Sequence, residues 1–227
     1  MCNLYSVRSS QEELRRAFKV RTELDRLGNF PGDPDVFPDH EAPVIRNGAD
    51  GEREMLLMRW GMPGPVEYGE QAITNIRHPT AKHWREWMEP AYRCLVPATS
   101  FSEPSSSKPA VWHWFARNHE RPPFAFAGAW RPWAGARGTK SKPIVGDHLL
   151  FSFLTTAPNA LVKPIHEKAM PVLLTTEAEY DLWLNAPAEE ALKLQRPAPI
   201  GLMEIIATGE KQDPPLGMEQ PKQGLLI

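Results

Sequence analysis

Cysteine is nearly absent: Cys2 and Cys94 are the only two in 227 residues. So small a count excludes a disulfide framework and any CxxC metal pair, and it fits a reducing compartment. Long apolar runs are also missing. No stretch approaches the roughly 20 residues that a membrane-spanning helix needs. The N-terminus is polar by residue nine, unlike a secretory signal. A soluble, cytoplasmic protein without membrane contact is expected. Charge of one sign is not in excess either, since 26 Lys and Arg against 28 Asp and Glu leave a net −2. Any contact with nucleic acid must therefore use a local basic patch. The histidines lack an HExxH pattern, so no metal site is expected. Glycine is outnumbered by proline, 15 to 24, beside eight tryptophans. That balance favours short strands and structured loops over long helices.

What is present begins at the first residues, Met1-Cys2-Asn3. Removal of Met1 would leave Cys2 with a free α-amine next to its thiol. The reference pKa values of the two groups, about 8 and about 8.5, give both a reactive fraction near neutrality. An amine condenses with an aldehyde to an imine, and the adjacent thiol can close a five-membered thiazolidine. Alternatively, the thiolate can attack a carbonyl with the amine as its base. This aminothiol chemistry requires no cofactor. Asn3 to Val7 reads as a short strand that would anchor this end, because free termini fray.

Further along, Ser10 and Glu13 form a capping box for a helix carrying Leu14, Ala17 and Phe18. The Gly-, Pro- and Asp-rich stretch from Leu27 to Pro43 reads as a loop packed on the body. Pro43–Arg46 and Met55–Trp60 read as two strands joined through Asn47-Gly48. Thr80 suggests a cap for an amphipathic turn bearing Trp84, Trp87 and Met88. Around it Arg77, His78, Lys82, His83, Arg85 and Arg93 form the one dense basic cluster, suited either to a solvated face or to a single-stranded nucleic-acid groove. Cys94 lies in an apolar strand as an inert core thiol. Phe124–Trp130 and His148–Thr155 are strongly β, and Arg131–Gly146 between them reads as an exposed loop. Thr176 with Glu179 caps a second helix, Pro187–Leu194 a third, and the tail after Gly209 is expected to be loosely held. With no internal repeat and no clear linker, residues 1–227 read as one domain. Its class is α+β and β-rich, a curled or barrel-like, mostly antiparallel sheet with peripheral helices.

Asn75, Glu103 and His166 fall at ends of apolar strands, where a side chain can reach a cleft. With Cys2 they would supply an amine and thiol, a carboxylate, an imidazole for proton transfer and an amide to hold a polar substrate. Singly, each also has an ordinary structural role: a turn cap, an outward carboxylate, a satisfied histidine.

Five blocks occur in order: Met1-Cys2-Asn3, Trp60-Gly61-Met62-Pro63, Thr74-Asn75-Ile76-Arg77, Arg93 to Ala98 with Phe101-Ser102-Glu103, and Ile165-His166 running to Met170-Pro171. They resemble the signature blocks of the SOS-response-associated peptidase (SRAP) family, most strongly over residues 2–184. The resemblance implies a sensor of abasic sites in single-stranded DNA that forms a covalent thiazolidine crosslink, and a cysteine peptidase that removes its own leader residue. Carried over, Cys2 is the crosslinking nucleophile, Asn75 positions the sugar, Glu103 acts on the α-amine and His166 is the acid–base group. Arg77 would bind phosphate, Trp60 would stack near the DNA and Thr155 would line the site. A weak lyase side activity follows from an imine to an abasic site. The implied partner is single-stranded DNA with abasic sites, with replication-fork proteins as further candidates, the protein acting as a monomer in the cytoplasm or on the nucleoid. The alternatives are an N-terminal-nucleophile hydrolase and a non-catalytic single-stranded DNA binder. The chain departs from the family pattern in two places: three residues instead of two separate His166 from Met170, and Pro104 stands where an aromatic commonly follows the glutamate.

Overall fold

The computed structural model describes residues 2–139 and 141–216. The first strand, β1 (Tyr5–Val7), is followed by α1 (Gln11–Phe18), whose Ser10/Glu13 capping box is formed as the sequence predicts. Acidic residues in its first turn and arginines in its last complement the helix dipole, while Leu14 and Phe18 face the core. Next come β2 (Asp33–Val36), β3 (Glu41–Asn47), β4 (Arg53–Trp60), and the short β5 (Met62–Pro63), β6 (Ala72–Ile73) and β7 (Asn75–Ile76). The second half holds β8 (Arg93–Ala98), β9 (Ser100–Pro104), β10 (Trp112–Ala116), β11 (Phe124–Thr139), β12 (Lys142–Thr156), β13 (Met170–Pro171) and β14 (Leu173–Leu174). Helices α2 (Glu177–Asn185) and α3 (Ala188–Ala191) precede β15 (Glu204–Gly209).

Pairing runs β12–β4–β3–β8–β11 and returns from β11 to β12, so five strands close a barrel. All of these pairs are antiparallel except β12–β4. Closure removes the exposed edges that an open sheet presents to other chains. A second sheet, ordered β15-β10-β9-β1-β2, packs against the barrel. Pro34 sits in its edge strand β2, where a missing amide donor disturbs no central ladder. Tyr5 from this sheet meets Trp60 edge-on at 5.2 Å and Phe126 at 5.5 Å, and Phe126 lies 4.6 Å from Phe153. These rings are fully buried, and each contributes about 1.5–3 kcal/mol of transfer free energy. The fold is the expected β-rich α+β single domain, with the helices at the periphery.

Several segments differ from the sequence reading. Arg131–Gly146 is a regular ribbon rather than a loop, with Trp133 opposite His148 and Gly135 opposite Gly146. Its Gly and Pro suggest a break, but cross-strand stacking compensates: Trp133 stacks on His148, and the Arg137 guanidinium lies 3.9 Å over the Trp133 ring. A Cβ at Gly135 would fall 2.1 Å from that ring, so only glycine leaves room for it. The Leu27–Pro43 stretch contributes β2 as well as a packed loop. Strands β3 and β4 are joined by residues 48–52, with the Gly48 amide donating to the Glu52 carbonyl at 2.8 Å, a longer connection than Asn47-Gly48 alone. No α-helix follows Thr80; turns and a 3₁₀ segment at Glu86–Met88 bury Trp84 and Met88 instead. The tail beyond Gly209 is anchored at Asp213, which is buried, while residues 217–227 lie outside the described part of the chain. Among the described residues, no helix is long and apolar enough to cross a membrane.

Candidate functional site

The site forms where the start of the chain meets three barrel elements. Strand β1 lies antiparallel to β9, with Tyr5 opposite Phe101 and Ser6 opposite Ser100. The pairing continues toward the N-terminus, since the Ser102 amide donates to the Leu4 carbonyl at 3.0 Å. This register carries Cys2 to the Glu103 end of β9. On the other side β7 runs parallel to β12, with Asn75 opposite Phe153. The Asn75 Nδ2 donates to the Cys2 carbonyl at 2.8 Å and to Thr74 Oγ1 at 2.8 Å. Thr74 Oγ1 in turn donates to Asn3 Oδ1 at 3.2 Å. The β7 turn thus grips residues 2 and 3. Beside it, β13 pairs with β12 by placing Thr155 opposite Pro171. The loop before β13 delivers His166, whose Nε2 lies 4.0 Å from Glu103 Oε2.

Electrostatics are dominated by burial. Glu103 is 1% exposed, and neither of its oxygens has a hydrogen-bond partner among the described residues. Burial pushes its carboxyl up to about 7, because an ionised carboxylate loses hydration that no donor replaces. Cys2 is fully buried, and its thiol is raised well above the ordinary range, first by burial and then by the Glu103 charge. Its Sγ contacts the Leu4 carbonyl at 3.5 Å. His166 is lowered, chiefly by burial. Its Nδ1 lies 2.9 Å from the Ala169 carbonyl. With Nδ1 donating there, the tautomer leaves Nε2 to accept on the side facing Glu103; the Ala169 amide lies 3.4 Å from the same Nδ1. The imidazole thus faces, at 4.0 Å, a carboxyl whose proton is held more tightly than an exposed glutamate's. Asn75 Oδ1 and Thr155 Oγ1 are also buried and lack partners among the described residues. A cleft of about 440 Å³ opens beside His166, bounded by Ser105, Ser106, Lys163 and Lys168.

Four of the seven residues singled out from sequence come together here: Cys2, Asn75, Glu103 and His166. Thr155 adjoins them on β12. Met1, and with it the reading of Met1 as a removable cap, lies outside the described residues. Arg77 is exposed on the strand end after Asn75, and its carbonyl accepts from Gln195 Nε2 at 3.0 Å. Trp60 is a correction. It is fully buried, stacks on Phe153 at 5.1 Å and donates its indole N–H to the Thr74 carbonyl at 3.0 Å. A ring so enclosed cannot stack on a base; it braces the turn that carries Asn75. Trp60→Ala is expected to cost about 3–5 kcal/mol of stability, measured by urea unfolding. A loss below about 1 kcal/mol together with weakened DNA binding would contradict the bracing role. The basic cluster also divides: Arg77, His78, Lys82 and Arg85 are exposed. Arg93 is buried against the Trp183 ring and donates to the Ala186 carbonyl.

Sequence reasoning passed over two supporting residues. Asn159 is buried and accepts from the Leu161 and Val162 amides while donating to the Ala198 carbonyl at 3.1 Å. The His166 amide then donates to the Val162 carbonyl at 2.9 Å, so Asn159 shapes the loop that presents the imidazole. The Ala157-Pro158-Asn159 run was the available signal, an Asx turn after a strand. Gln195 bridges the Arg77 and Thr155 carbonyls with one amide; nothing in its local sequence announces this.

Fold and site together define a single-domain barrel protein with a buried cysteine near the chain start, set beside a carboxyl–imidazole pair. The chain belongs to the SOS response associated peptidase (SRAP) family, whose model matches residues 1–210. Among solved structures it is similar to a protein from Bordetella bronchiseptica, 26% identical with TM-score 0.69, over 92% of this chain and 98% of that one. It shares its fold with a protein from Bacteroides thetaiotaomicron at 21% identity and TM-score 0.67, covering 89% of this chain and 90% of that one. The same holds for a phage-related protein from Bordetella bronchiseptica at 17% identity and TM-score 0.65, covering 94% and 100%. No curated protein matches the chain.

Proposed function

We propose that the protein senses abasic sites in single-stranded DNA and captures them covalently through Cys2 once Met1 has been removed. The observation that carries this reading is Glu103: a buried carboxyl without a hydrogen-bond donor among the described residues, beside Cys2 and 4.0 Å from the His166 imidazole. Such a group is costly to the fold, and it is suited to accept a proton from an α-ammonium and pass it on. Family membership, with its link to the SOS response, agrees with a DNA-damage role.

In the proposed sequence protonated Glu103 gives its proton to His166 Nε2. The resulting imidazolium protonates the ring oxygen of the closed abasic sugar while water takes the 1-hydroxyl proton, giving the open aldehyde and leaving Glu103 ionised. Glu103 takes a proton from the Cys2 α-ammonium. The free amine adds to the aldehyde carbon, and loss of one water gives the imine. The thiol then adds across the C=N bond: sulfur bonds to carbon, its proton moves to nitrogen, and the thiazolidine closes. The net change is aldehyde plus aminothiol to ring plus water, with no oxidant or reductant. The raised thiol favours this order, because an amine-first attack needs no resting thiolate. The same feature disfavours a peptidase-type thiolate nucleophile. Asn75, whose buried Oδ1 has no partner among the described residues, would hold a sugar hydroxyl, and Arg77 a flanking phosphate.

The test is incubation with a single-stranded oligonucleotide containing one abasic site, followed by denaturing electrophoresis. A retarded band that survives denaturation is expected. Peptide hydrolysis without that band would replace this reading with a hydrolase. Binding without it would leave a non-covalent binder. His166→Ala is expected to slow adduct formation by about 10²-fold, the usual scale of one acid–base group. Its affinity for an unreactive abasic analogue should change little. Equal losses in rate and affinity would contradict the proton-transfer role.

A further inference from the structure

We propose that Asp213, three residues beyond the stretch matched by the family model, is a positioning residue that sets the register of β1 and so the placement of Cys2. Its Oδ2 accepts from Ser6 Oγ at 2.7 Å, from Arg8 Nε at 2.8 Å and from Ser100 Oγ at 3.2 Å. Its Oδ1 accepts from Arg121 Nη1 at 2.9 Å, and its amide donates to Asp35 Oδ1 at 3.3 Å. Arg8 also donates to the Asp213 carbonyl, and Arg121 to that of Pro214 at 2.8 Å. The fully buried Asp213 carboxylate therefore joins β1, β9 and the Arg121 turn, and the Asp213 amide adds β2.

Ser6 and Ser100 are themselves opposite partners in the β1–β9 ladder, and the same oxygen bonds both. A slip of β1 by one residue would move Ser6 away from that oxygen. It would also turn every β1 side chain to the other face, Cys2 with them. The strand needs such a clasp. It is three residues long, its pairing to β2 is irregular, and it lies at the start of the chain, where short strands open readily. Asp213 is four residues from Cys2 as measured along β1 through Ser6, about 13 Å. It therefore acts on the site only through the strand.

The functional consequence rests on the covalent-capture reading, but the structural one does not, and the test separates them. The variants are Asp213→Asn and the pair Ser6→Ala with Ser100→Ala, which keeps Asp213 and its arginines. Each is treated with a thiol-alkylating reagent under conditions where circular dichroism shows the protein folded. The two buried cysteines report different events: Cys2 reports β1, and Cys94 in the barrel strand β8 reports global opening. The expected result is Cys2 alkylated at least about tenfold faster than in wild type, as for a local opening, with Cys94 unchanged. Adduct formation at saturating abasic DNA should slow by a similar factor, with affinity for an unreactive abasic analogue within about twofold. Acceleration of both cysteines together, or of neither, would overturn the proposal. If wild type forms no adduct, the capture reading fails alone, and the alkylation result still decides whether Asp213 holds β1.

Discussion

Cys2→Ala is expected to abolish the denaturation-resistant adduct. The variant keeps an α-amine after Met1 removal, and alanine is small enough to be exposed in the same way. It can still form an imine with the abasic aldehyde. It cannot close the ring, and an imine hydrolyses on denaturation. The loss should exceed about 10²-fold, the least expected when an intramolecular thiol held at high effective concentration is removed. Borohydride should rescue a band from Cys2→Ala by reducing the imine, which separates loss of ring closure from loss of recognition. Cys94→Ala should have no such effect on the adduct: Cys94 is buried in β8, opposite Gly128, and burial raises its thiol far from any reactive range. An unreduced Cys2→Ala band as strong as wild type would show that sulfur takes no part.

The second large effect concerns Glu103 and pH. Its carboxyl titrates at about 7 in the folded protein against 4.5 for an exposed glutamate. The folded state therefore holds this proton more tightly than the unfolded state. Below about pH 4.5 both states are protonated and the group costs nothing. As pH rises toward 7 the unfolded state releases the proton first, so stability falls, and above the folded value the penalty is complete. At 1.36 kcal/mol per unit, that penalty is about 3 kcal/mol. Glu103→Gln should match wild type in urea unfolding near pH 4.5 and exceed its stability by about 3 kcal/mol near pH 8. The same variant should form adduct far more slowly, because an amide accepts no proton from the α-ammonium. A more stable, less active variant is the signature of a group kept for chemistry at the cost of stability. Parallel pH curves for the two proteins would show that Glu103 is solvated rather than buried.

The parts of the molecule legible in sequence are those specified by local chemistry. The two capping boxes at Ser10/Glu13 and Thr176/Glu179 are formed in the structure, because a helix start is decided within four residues. The hydrophobic runs of β8 and of the inner half of β12 are likewise read correctly. The β11–β12 ribbon is missed because its stability comes from cross-strand pairs such as Trp133 with His148, and pairing partners are not adjacent in sequence. Barrel closure is of the same kind: the return from β11 to β12 is a long-range register. Trp60 is misread because an aromatic beside an arginine at a strand end looks the same in sequence whether it turns inward or outward. Its burial depends on Tyr5, which reaches it from the second sheet, and on Phe153 of the neighbouring barrel strand β12. Asp213 shows the limit most clearly. An aspartate between Gln212 and Pro214 in a polar, Pro-rich tail reads as solvated, and only the fold places two arginines and two serines around it.

For the candidate site, sequence identifies the residue types, and the fold supplies the distances. Cys2 and His166 are 164 positions apart, and they meet at Glu103 because β1 pairs with β9 while the Asn159 loop turns back beside β12. What the sequence could not convey is that Glu103 has no donor among the described residues and that the Cys2 thiol is enclosed. Those two features are what support the proposed amine-first capture over a thiolate nucleophile.

The central claim is most directly tested by intact mass measurement of the species formed with an abasic single-stranded oligonucleotide. One adduct is expected, whose mass equals the protein without Met1 plus the oligonucleotide less one water, with the crosslink mapped to Cys2. An adduct that retains Met1, or one mapped to a lysine, would contradict it.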